Sequence, residues 1–165
     1  MFALLHPALV HFPIALLIFA SGCALLYLHW RPLATLKTLT WWTLFPGWLS
    51  LLLAIISGIL AQGGLAPDAP FRGVLNLHIT TGLVLVIVYG DLLYRRWLHR
   101  SGKGRKRRPG QRSASQEHTP AVDFLDQPGR KWWLTLQLLV GILLVVASGY
   151  LGGELVYTWG VNVRG

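Results

Sequence analysis

Four uninterrupted apolar runs, at residues 8–30, 41–61, 75–97 and 132–153, decide what this chain can become. Each is 21 to 23 residues long, and a helix of about 20 apolar residues crosses the roughly 30 Å of hydrocarbon in a bilayer. Lipid offers the backbone no hydrogen-bond partners, so a continuous run of this kind satisfies its own N–H and C=O groups as a helix. The composition agrees. The chain is 53% hydrophobic and 13% charged with a mean hydropathy of +0.50, whereas about a quarter of the residues in a soluble domain are charged. The expectation is an all-α integral membrane protein: one four-transmembrane-helix bundle spanning residues 1–165. The first run reads as a retained span rather than a cleaved signal, because no basic segment precedes it and its apolar core is too long.

Charge then sets the orientation. The formal net charge is +9, and thirteen of the fifteen Lys and Arg residues fall on one side of the predicted spans. Arg31 and Lys37 lie between the first two spans. Arg95, Arg96, Arg100, Lys103, Arg105, Lys106, Arg107, Arg108, Arg112, Arg130 and Lys131 lie at or after the end of the third, leaving Arg72 and Arg164 opposite. Basic connections stay in the cytoplasm, so both termini are expected outside a cytoplasmic membrane. Trp30, Trp41, Trp42, Trp97, Trp132 and Trp133 fall at the same inner boundary, where amphipathic indoles prefer to sit, and Tyr150, Tyr157 and Trp159 form an outer belt. Residues 99–131 are rich in Gly, Ser, Pro, Arg and Lys without apolar period, and read as a flexible basic cytoplasmic loop. No aromatics interleave with its charges, so no base-stacking surface is implied. The expected partner is the bilayer, not nucleic acid.

A weak internal duplication relates the two halves. The phrase around His11 (Leu9-Val10-His11-Phe12) resembles that around His78 (Asn76-Leu77-His78-Ile79), 67 residues later. Ser57-Gly58 and Ser148-Gly149 close the second and fourth spans, 91 residues apart. Two related helical hairpins about an axis along the membrane normal would bring His11 and His78 to one depth on opposite sides of a central site.

Ionisable side chains inside apolar helices usually face the bundle interior, and a neutral imidazole is a common metal and haem ligand. The matched depth of His11 and His78 makes them the candidate ligands, with Gly58 and Gly149 leaving room for a flat macrocycle or for close helix packing. The structural alternative is that each histidine hydrogen-bonds across helices to Ser57, Thr81 or Ser148. His6, before Pro7, is the secondary candidate, as a helix-opening residue or one that orients a ligand. Glu154 and Arg72 are further candidates at the outer mouth, where Glu154 is placed to pair with Arg72, Arg164 or a protonated histidine. Asp91 with Arg95 at i+4 reads as a structural ion pair. The single cysteine excludes a disulfide framework, a Cys-rich zinc site and covalent c-type haem. No Ser-His-Asp order, phosphate loop or H-E-x-x-H motif supports a hydrolase or kinase.

The opening His6-Pro7-Ala8-Leu9-Val10-His11-Phe12-Pro13 and the ending Gly152-Gly153-Glu154-Leu155-Val156-Tyr157, followed by Gly160-Val161, resemble the bacterial predicted-membrane-protein family called domain of unknown function 2231. His78 matches that family's histidine in the third helix, and the resemblance spans nearly the whole chain outside the basic loop. It implies a four-helix domain in a bacterial inner membrane, and the redox domains found beside some family members imply electron transfer. The expectation is therefore a membrane subunit holding haem b near the outer face by bis-histidine ligation, with a redox protein or respiratory complex as partner, rather than a stand-alone enzyme. Two other classes stay open: a non-catalytic subunit whose histidines tie helices together, and a small proton- or ion-linked transporter using His11, His78 and Glu154.

Overall fold

Each apolar run becomes helical, and the last three helices are longer than the runs that specify them. The computed structural model describes residues 5–63, 65–105 and 123–161. Among them are α1 (Leu5–Leu9), α2 (His11–His29), α3 (Ala34–Ala61), α4 (Arg72–Arg105), a 3-10 turn at Phe124–Asp126 and α5 (Lys131–Tyr157), with no strand. Among the described residues four stretches are long and apolar enough to cross a membrane: His6–His29, Ala34–Ala61, Arg72–Ser101 and Lys131–Tyr157. Hydropathy marks the hydrocarbon thickness, whereas helix ends follow backbone hydrogen bonding into the headgroup layer. The 34 residues of α4 therefore reach about 51 Å at 1.5 Å per residue. Basic residues from Lys106 to Arg112, His118 and Arg164 lie outside the described residues.

α1 and α2 make one span with a step at Val10, whose backbone stays helical. Pro13 explains the step, since it cannot donate to the Leu9 carbonyl one turn back. The spans run up and down in a ring, each packing most heavily on its two neighbours: α2 on α3, α3 on α4, α4 on α5, and α5 back on α2. Small residues set the close approaches, as they do where helices pack without a hydrophobic drive between them. Ala20 and Ala24 are fully buried. A Cβ on Gly47 would meet Leu16 at 3.0 Å, and one on Gly141 would lie 2.6 Å from the Tyr89 hydroxyl. Tyr89 needs that space because its hydroxyl shares a 2.9 Å hydrogen bond with Ser21 in the core. Large apolar side chains such as Ile87, Leu143 and Val146 face outward, as a lipid-facing surface requires. Asp91 and Arg95 form the expected pair at 2.7 Å.

Residues 99–131 are not one flexible loop. Helix α4 continues to Arg105, and residues 123–127 fold back as a plug over the basic end of the bundle. Phe124 and Leu125 are buried in the main core cluster. The Asp123 carboxylate caps the turn by accepting from Leu125 N–H and also accepts from the Trp41 indole at 3.0 Å. Asp126 accepts from Tyr27 Oη and from Lys37 Nζ, the latter at 2.9 Å, and Gln127 bonds to His99. Trp41 is consequently a core residue, 4% exposed, unlike the exposed Trp30 and Trp132. Two apolar side chains suffice because the helix ends supply a ready-made socket.

Candidate functional site

At the opposite end, α1 brings His6 against α3, and α4 brings His78 against α5. Their imidazoles lie 6.2 Å apart between ring centres, nearly perpendicular at 81°. His6 Nδ1 is 3.0 Å from Ser57 Oγ, and Ser57 Oγ already donates its proton to the Ala54 carbonyl at 2.8 Å. The imidazole must therefore be the donor, with the proton on Nδ1. His78 Nδ1 is 3.0 Å from the Ser148 carbonyl, which can only accept, so here too the proton sits on Nδ1. In the neutral rings both Nε2 atoms then keep a lone pair, and no side-chain hydrogen bond is formed at either among the described residues. This is the tautomer a metal ligand needs, held by a hydrogen bond on the other ring nitrogen.

Glycine makes the arrangement sterically feasible. A Cβ on Gly58 would lie 2.9 Å from His6 Cε1, and one on Gly152 would lie 3.2 Å from His78 Cε1. Each imidazole thus packs edge-on against a helix stripped of its side chain at that level. The glycine space at Gly58 is filled by a ligand candidate, whereas Gly149 meets only Ile14 Cδ1, at an ordinary 3.8 Å. The glycine that matters beside His78 is Gly152, which lies inside the Gly-Gly phrase of the sequence.

The structure brings His78 together with His6 and leaves His11 elsewhere. Five residues turn a helix through about 140° beyond one full turn, so His6 and His11 cannot share a face. His11 is exposed, and its Nδ1 bonds to the Pro7 carbonyl at 2.7 Å within its own segment. The correspondence between the halves accordingly runs from His6 to His78, each tied through Nδ1 to the serine of its own hairpin, Ser57 or Ser148. Thr81 donates to the His78 carbonyl at 2.8 Å rather than to an imidazole.

The remaining candidates have separate tasks. Arg72 clasps the connection between α3 and α4, donating from Nε to the Ala66 carbonyl at 2.8 Å and from Nη2 to the Leu65 carbonyl at 2.6 Å. The Glu154 side chain makes no ion pair among the described residues, and its backbone carbonyl closes the end of α5 by accepting from Thr158 and Trp159. Nor do the described residues contain a cluster of three or more His, Cys, Asp or Glu suited to a metal ion.

Four helices of bilayer length, apolar outside and holding two half-buried imidazoles between them, define a polytopic α-helical membrane protein. The chain belongs to the family described as "Predicted membrane protein (DUF2231)", which matches residues 3–165. No curated protein and no solved structure matches it.

Proposed function

We propose that His6 and His78 ligate one haem b between the two halves of the bundle, and that the protein transfers electrons in the membrane. The observation that carries this reading is the matched state of the two rings: Nδ1–H tied, Nε2 bare, 6.2 Å between centres. That separation would let His6 and His78 both reach one metal ion between them through bonds of about 2 Å. With two protein nitrogens and no third ligand beside them among the described residues, the donor set suits a metal whose other ligands come from a macrocycle. Held by His6 and His78, such a haem would supply electron exchange rather than oxygen chemistry. Ser57 and the Ser148 carbonyl fix ring orientation and raise ligand basicity. Gly58 and Gly152 let the rings lie flush with α3 and α5. The distribution of Lys and Arg supports an inner-membrane protein with this site near the outer face and both termini outside, where a redox protein or respiratory complex would meet it.

The test is the absorption spectrum of detergent-purified protein expressed with ample haem. Wild type should show low-spin bands. His6→Ala and His78→Ala should each abolish them or leave a five-coordinate high-spin remnant, and His11→Ala should leave them intact. A colourless wild type, or low-spin bands that survive loss of His78, overturns the proposal. One second reading has its own support: the same two Nδ1 bonds join α1 to α3 and α4 to α5, which is what helix-tying histidines in a non-catalytic subunit would do. Under that reading the purified protein is colourless and both alanine variants lose stability.

A further inference from the structure

The basic end carries a second feature that the histidine site does not use. A groove of about 440 Å³ is lined by Trp41, Trp42, Phe45 and Pro46 of α3 and by Arg96 and Arg100 of α4. The Arg96 guanidinium lies 3.9 Å from the centre of the Trp41 ring, while its Nε is buried without a hydrogen-bond partner. Asp123 is near enough to attract Arg96, but its Oδ1 already accepts from the Trp41 indole and the Leu125 amide. Neither arginine forms an ion pair among the described residues. Leaving a buried guanidinium donor unpaired is costly, and two like charges side by side repel unless an anion joins them.

The surroundings state what kind of anion fits. Trp42 and Phe45 are exposed on the outside of α3, the surface that a bilayer around the bundle would cover. Pro46 adds a bare ring, since it has no N–H to donate. The groove is thus apolar and aromatic along the helix and cationic at its end, at the level where indoles mark the headgroup layer. A free phosphate would use the guanidinium groups and leave the apolar wall wet. An anionic phospholipid uses both, with its phosphate at the arginines and its acyl chains along Trp42, Phe45 and Pro46. Basic pockets between helices near the membrane surface recognise lipid headgroups in this way. We infer that this groove is a binding site for one anionic phospholipid.

Native mass spectrometry of the delipidated full-length chain tests the inference, using dioleoylphosphatidylglycerol and dioleoylphosphatidylcholine as probes. Wild type should retain one phosphatidylglycerol about tenfold or more tightly than phosphatidylcholine. Arg96→Gln with Arg100→Gln should abolish that preference. Arg31→Gln with Lys131→Gln removes the same charge from the same end and should preserve it. Where the first double variant aggregates, Arg100→Gln alone, at an exposed position, should weaken phosphatidylglycerol about fivefold. No preference in wild type, an unchanged preference in the arginine variants, or equal loss in the control pair overturns the site. So does complete displacement by millimolar inorganic phosphate, which would mean that the groove reads a free anion.

Discussion

At the basic end of the bundle, Asp123, Asp126 and Gln127 bond to α3, to α2 and α3, and to α4 respectively, and two buried apolar side chains sit beneath them. At the histidine end, each imidazole gives one nitrogen to a helix tie and keeps the other unbonded. The first arrangement satisfies its polar groups from within and buries apolar surface, which is how a structural closure is built. The second holds two basic lone pairs in fixed orientation beside glycines, at a stability cost that a closure has no reason to carry. Stability should therefore concentrate at one end and ligand chemistry at the other.

The largest expected effect falls on the plug. Phe124→Ala removes a side chain that is 1% exposed and should lower unfolding stability in detergent by about 3–5 kcal/mol, while any haem spectrum of the folded fraction stays unchanged. A spectrum that shifts with Phe124 would break the division between the ends. Next comes Gly58→Ala, which drives a methyl to within 2.9 Å of His6 and should cost about 1–3 kcal/mol by overpacking. Gly149→Ala has open contact at 3.8 Å and should stay within about 0.5 kcal/mol. Equal effects of the two glycine changes, measured by the same unfolding assay, would erase the distinction between the two Ser-Gly pairs.

The smallest effect is a pH dependence confined to the plug. Partial burial pushes the Asp126 carboxyl up, but hydrogen bonds from Tyr27 and Lys37, with the Lys37 charge, outweigh it and hold the group below its usual value. A carboxyl lowered on folding contributes fully above its unfolded value of about 3.9 and loses that contribution as pH falls through the lower folded value. Thermal scans from neutral pH into that acid range should show a decline in wild type that is reduced in Asp126→Asn. An identical decline in the variant would assign the acid sensitivity elsewhere.

Much of this architecture was legible in the residues, for a physical reason. Bilayer thickness imposes one length on every span, so the four runs announce themselves, as does the i,i+4 pair of Asp91 and Arg95. The plug was not legible, because Phe124 and Leu125 are two apolar residues in a polar stretch and their value comes from a socket at the joined ends of α2, α3 and α4. The histidine partnership was half legible. Counting depth from the hydropathy boundary at residue 8 favours His11, yet α1 already begins at Leu5, and facing decides between His6 and His11 more strongly than depth does. His78 with Gly152 has the same lesson: the ring chooses the glycine one turn beyond the Ser148-Gly149 phrase. Arg72 sat in the right region with a different task, since backbone carbonyls of a connection leave no mark in a sequence.

The plug also bears on the order in which the molecule is made. Synthesis runs from the N-terminus, so Tyr27, Lys37, Trp41 and His99 have all emerged before residues 123–127 can meet them. The segment that joins these four positions comes just ahead of the final span. Its seating requires that α2, α3 and α4 already stand side by side in register, because Asp126, Asp123 and Gln127 reach a different set of helices each. An assembly missing α2 or α3 deprives a carboxylate of a donor, and one missing α4 deprives Gln127 of His99. The seated segment thus records that α2, α3 and α4 stand in register, and it lies just ahead of the helix that closes the ring.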